Sequence, residues 1–160
     1  MTKVFLQGIT GMKMSTLWRV LARNRFRVDS CYLDRLVYLG VLAVYNSILA
    51  RFEDRCNGAK IEATKITEPP IFIIGHWRSG TTHLHNLLSF DPNFTCPTYY
   101  QVMSPHHFVY SQPWGQRIFN YLSPGKRPMD NMAVGAQAPH EDEFALAAMS
   151  AVSPYLKALF

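Results

Sequence analysis

Cysteine is scarce in this chain. Cys31, Cys56 and Cys96 stand far apart, with no C-x-x-C pair and no even framework. That excludes a disulfide scaffold and a zinc ribbon, and makes a reducing compartment the simpler setting. Charge is sparse as well, at 17% of residues against 48% hydrophobic. A 160-residue chain of that balance is no solvated tail and carries enough apolar side chains for a core. It has no internal repeat and no low-complexity tract. The start, Met1 to Gly11, lacks a long apolar stretch with a small-residue cleavage site and reads as a poor secretory signal. Nor is there a run of twenty apolar residues. The best candidate, Leu36 to Ala50, is fenced by Arg35 and Arg51 and interrupted by Asn46 and Ser47. As a helix it reaches about 22 Å, against about 30 Å of bilayer core. A buried helix is expected there rather than a membrane span.

What charge there is falls unevenly. Residues 1–60 hold ten Lys and Arg against four Asp and Glu, and residues 61–160 hold six against seven. This predicts a helical, basic N-terminal segment over 1–60 and a separate unit over 61–160. Within the first, Met14, Leu17, Trp18 and Leu21 share one helical face, with Arg19, Arg23 and Arg27 beside it. Such a helix either packs on its own domain or lies on an anionic membrane surface, so residues 12–55 carry a membrane-contact expectation. Nucleic acid is not expected as a partner, because no helix-turn-helix, zinc-finger or RNA-binding signature accompanies the arginines.

Helices are expected near 12–26 and 30–55, with a turn at Asn57-Gly58 and a break at Thr67-Glu-Pro-Pro70. The apolar run Ile71-Phe-Ile-Ile74, bounded by Pro and Gly, fits a buried strand of a parallel sheet. A glycine loop follows, then a helical stretch from Thr81 to Phe90 with Leu84, Leu87 and Leu88 on one face. Prolines 97, 105, 113, 124 and 128 break the next segment into loops and short helices, with Trp114 to Leu122 as one helix. Pro139 to Val152 reads as a further helix with its acids in the first turn.

The chemistry sits in the glycine loop. Gly75-His-Trp-Arg-Ser-Gly80-Thr81-Thr82 keeps the G-x4-G frame of a phosphate-binding loop, but a threonine stands where the lysine belongs. The glycines allow backbone N–H groups to curl inward, and the following helix offers its positive end to an anion. Thr81 and Thr82 add hydroxyl donors, and Arg78 adds a bidentate cation. Without the lysine, and without a strand ending in Asp to hold magnesium, triphosphate hydrolysis is disfavoured. A nucleotide-kinase relative and a non-enzymatic, membrane-associated helical protein are the alternatives. No metal site is expected, since His83 and His85 face different sides of a helix and no carboxylate completes a set.

The stretch Pro70-Ile-Phe-Ile-Ile-Gly-His-Trp-Arg-Ser-Gly-Thr-Thr-His-Leu resembles the 5′-phosphosulfate loop of sulfotransferases, in the version of the tyrosylprotein-sulfotransferase-like and bacterial branches. Pro139-His-Glu-Asp-Glu-Phe-Ala-Leu is similar to bacterial members too. The resemblance implies an α/β class: a P-loop-like three-layer fold, its parallel sheet incomplete here, behind the helical N-terminal segment. It also implies 3′-phosphoadenosine 5′-phosphosulfate (PAPS) as donor and a hydroxyl or amine acceptor. Arg78, Ser79, Gly80, Thr81 and Thr82 would then grip the phosphosulfate, and Arg78 would steady the charge that develops in transfer. A base is needed for the acceptor. Glu141 is the first candidate, then Glu143 and His140, while first-turn helix capping is the structural alternative for the acids. His106 and His107 either line the acceptor pocket or are solvated. The family's 3′-phosphate-binding residues are not found before Phe160, so the chain reads as the N-terminal part of an enzyme. A cytoplasmic location, at or off a membrane surface, is expected.

Overall fold

The computed structural model describes residues 10–76, 79–123 and 135–153. Among them run six α-helices: α1 (Met14–Arg23), α2 (Leu33–Ala63), α3 (Thr81–Leu88), α4 (Tyr99–Met103), α5 (Phe108–Leu122) and α6 (Glu143–Ser150). A 3-10 turn at Ser30–Tyr32 leads into α2, its Asp29 side chain accepting from the Cys31 amide.

The expected parallel sheet is absent from the described residues. Only one isolated antiparallel bridge forms, between Thr98 and Pro139. Ile71 to Ile74 is not a strand, and Ile71, Phe72 and Ile74 are 60%, 76% and 92% exposed. The α/β expectation is therefore wrong for this chain, whose described architecture is helical. The physical reason is plain. An apolar run suits a buried strand, but a strand exists only where a second one accepts its ladder hydrogen bonds, and no other described segment does so.

α2 is the spine. Its 31 residues reach about 46 Å at 1.5 Å per residue. Asn57-Gly58, expected as a turn, lies inside it. Ala59, Lys60 and Glu62 are good helix formers and outweigh the cost of about 1 kcal/mol for one exposed glycine. The buried face of α2 is Ala43, Asn46, Ala50 and Glu53, a helical row of small and polar residues. Small side chains let α1 and α5 approach closely on that face. Met12, Leu17, Ala43 and Ala148 form the core cluster, with Met14, Leu21, Leu36 and Leu39 packed against it. Trp18, expected on the packing face of α1, instead points out and meets Phe26 edge-on at 5.1 Å.

The front and rear of the chain share this core. Thr16 Oγ1 donates to the Met149 carbonyl at 3.3 Å, and α1 packs on α6. Asn46 donates to the carbonyls of Thr10 (2.7 Å) and Met12 (3.1 Å) and places Oδ1 3.2 Å from His107 Nε2. His107 Nδ1 lies 2.8 Å from Ser111 Oγ, which is 2.6 Å from the Tyr100 hydroxyl. Asn46, His107, Ser111 and Tyr100 are all buried, so this polar chain joins α2, α4 and α5 through the interior. Glu53 adds a second tie by accepting from the Tyr110 amide, 2.6 Å away, in the first turn of α5. α5 starts earlier than expected and runs through Pro113, which removes one helical hydrogen bond without ending the helix.

Candidate functional site

The glycine loop delivers its residues to the start of α3. Gly80 takes φ +89° as the residue before the helix, a left-handed conformation that glycine adopts without strain. Gly75 has no room for a side chain, because a Cβ there would lie 2.6 Å from Thr81 Cγ2 and 2.8 Å from Ser79 Oγ. The loop is thus folded back on its first glycine. Ser79 Oγ donates to the His76 carbonyl at 2.6 Å, which tightens the same turn. Thr81 and Thr82 open α3 and are half-buried. Arg78 lies outside the described residues, with Trp77.

The acids arrive from the other end of the chain. Tyr99 and Tyr100 amides donate to the Ala138 and Ala136 carbonyls at 2.8 and 3.0 Å, and the His140 amide donates to Pro97 at 3.0 Å. This clasp fixes residues 136–140 against the start of α4. α4 is itself secured by a capping box, in which Thr98 and Gln101 each bond the other's backbone amide. His140 is then wedged between Tyr99, stacked at 4.2 Å, and Phe144, stacked at 5.2 Å, and is 8% exposed. Glu141 follows directly, ahead of α6 rather than in its first turn. Its Oε1 accepts from Thr82 Oγ1 at 2.8 Å. The structure therefore brings together Thr82 and Glu141, residues assigned to the donor loop and to the base, across 59 positions of sequence.

The other candidates fall elsewhere. Glu143 opens α6 and accepts from Ser153 Oγ at 2.5 Å. His107 is 2% exposed in the interior polar chain and is not solvated as expected; burial lowers its pKa. His106 is half-buried, and its pKa drops to about 4 through burial first and then the nearby charges of Lys13 and His107. Its Nε2 is buried with no hydrogen-bond partner among the described residues. The clasp and the capping box were not anticipated, although Thr98-x-x-Gln101 is a signal for the latter.

A tight glycine turn with hydroxyl donors, opening a helix and facing a carboxylate, suits transfer of an oxyanion group. Comparison with known proteins names the group. The profile of the sulfotransferase family matches residues 69–159, which spans the loop, Thr82 and Glu141. This chain belongs to the sulfotransferase family. It is 39% identical over 150 residues to the omega-hydroxy-beta-dihydromenaquinone-9 sulfotransferases of Mycobacterium bovis and Mycobacterium tuberculosis. Each match covers 94% of this chain and 38% of the relative, so the chain spans well under half the length of the curated relatives it matches. No solved structure matches it.

Proposed function

We propose that this chain carries the donor loop and the base of an enzyme that moves a sulfuryl group from PAPS to a hydroxyl on a lipid-like acceptor. The observation that supports it most directly is the meeting of Thr82 with Glu141 beside the Gly75–Gly80 turn. The turn itself fits the donor. It has a glycine cradle that a Cβ would fill, and the hydroxyls of Ser79, Thr81 and Thr82 line its exit. Arg78 supplies the cation that the equatorial oxygens need as charge builds on them. The acceptor oxygen forms the new O–S bond as the S–O bond to the 5′-phosphate breaks. The phosphate keeps the bonding electron pair, and the acceptor's proton passes to Glu141. Glu143 is tied to Ser153 and His140 is wedged between two rings, which leaves Glu141 as the base of this reading.

The lipid character of the acceptor is supported by two things: the dihydromenaquinone in the names of the relatives, and the outer face of α2. α2 is long and apolar enough to cross a membrane by length and composition. Val37, Val41, Val44 and Ile48 make an outward stripe at 66%, 65%, 47% and 50% exposure. Exposed Arg51, Asp54 and Arg55 charge its second half, and exposed Arg19, Arg23, Arg25 and Arg27 precede its start. That combination suits a helix lying along an anionic cytoplasmic membrane surface, through residues 12–55, better than one crossing it.

Turnover by the full-length protein tests this reading. Arg78→Ala is expected to lower kcat/KM by about 100-fold or more while leaving the thermal melt unchanged. Wild-type turnover in that variant would remove Arg78 from the donor site.

A further inference from the structure

We infer that the Thr82 hydroxyl is shared between Glu141 and the donor, so that donor binding is what releases the base. The inference rests on the donor and base reading above. A threonine hydroxyl has one proton. Here it is committed to Glu141 Oε1 at 2.8 Å. It cannot also be donated to a phosphosulfate oxygen. Both claimants are anions, and a carboxylate bonded to Thr82 stands against the turn where the donor's oxygens would enter. The two bonds to Thr82 are therefore mutually exclusive.

The exchange has a direction. Without donor, the Glu141 carboxylate is held against Thr82 through Oε1. When the donor takes the hydroxyl, the Glu141 side chain is no longer held at Thr82 and can turn toward the incoming alcohol to accept its proton. The rest of the site makes this a local switch. Residues 136–140 are clasped to α4, and His140 is held between Tyr99 and Phe144. Only the Glu141 side chain needs to turn. Thr82 acts as a positioning residue in the apo state and as a donor contact in the loaded one.

The test is calorimetric titration of the full-length protein with PAPS across a double-mutant cycle. Glu141→Ala is expected to tighten PAPS binding by about fivefold, the worth of one hydrogen bond that no longer has to be broken, while transfer is lost. Thr82→Val is expected to weaken PAPS binding more in the Glu141→Ala background than in the wild type, and Thr82→Ser to restore it. If Glu141→Ala folds poorly, Glu141→Gln serves in the same cycle with a smaller gain. Unchanged or weaker PAPS binding in both Glu141 variants, with the wild type binding normally, would overturn the coupling and leave the donor reading intact. A wild type that does not bind PAPS at all would overturn both.

Discussion

The interior polar chain makes a sharp stability prediction, and it reaches the candidate site. Asn46 is 5% exposed and touches three partners: the carbonyls of Thr10 and Met12, and Nε2 of His107. Met12 and His107 are each 2% exposed, so Asn46→Ala strands one carbonyl and one ring nitrogen where water does not reach them. Each stranded buried group costs about 1–3 kcal/mol, which puts the variant about 3 kcal/mol below the wild type. With a urea slope of roughly 2 kcal/mol per molar, the unfolding midpoint falls by about 1.5 M. His107→Phe costs less in the Asn46→Ala background than alone, because the pair has then lost both ends. Additive effects, or a midpoint shift below about 0.3 M, would refute the claim that this chain of hydrogen bonds holds α2 to α4. The effect should extend to the chemistry, since Tyr100 anchors α4 and its neighbour Tyr99 stacks on His140 beside Glu141.

Other expectations follow from the same geometry. Gly115→Ala drives a methyl into the Tyr100 hydroxyl and to 2.6 Å from its Cζ, so it lowers stability by about 1–3 kcal/mol despite the better helix former; a thermal melt checks this. Gly75→Ala crowds Thr81 and Ser79 in an exposed turn, and is expected to weaken PAPS binding several-fold with little change in melting temperature. His106 is depressed from 6.5 to about 4. Its contribution to stability is thus complete above about 6.5 and lost as pH falls through about 4, the unfolded chain taking the proton first. Urea midpoints between pH 7 and pH 4 should fall less in His106→Gln than in the wild type.

Much of the local structure was legible, because it is written in short-range signals. The Arg-Ser-Gly-Thr-Thr loop announced a turn that opens a helix, and it does. The period of the leucines placed α3, and α6 lies inside the Pro139–Val152 stretch expected to be helical, starting four positions late at Glu143. The sheet was misread because Ile71 to Ile74 satisfies a strand's side-chain pattern, while strand pairing depends on residues elsewhere in the chain. The extent of α2 was misread for the opposite reason. Gly58 looked like punctuation, yet the helix is held by its Ala43–Glu53 face, far from that glycine. The interior place of His107 is not legible locally, because its partner Asn46 is 61 positions away. The Thr82–Glu141 bond was hidden likewise: each residue was identified, but only packing puts them side by side.

The most direct test of the account is transfer itself. Purified full-length protein would be incubated with PAPS carrying ³⁵S in the sulfuryl group and with a lipid extract of bacterial membranes. The account predicts protein-dependent label in the organic phase, as a sulfate ester, abolished by Arg78→Ala and by Glu141→Gln. Label that stays wholly in the aqueous phase, from protein shown to bind PAPS, would contradict sulfuryl transfer to a lipid-like hydroxyl.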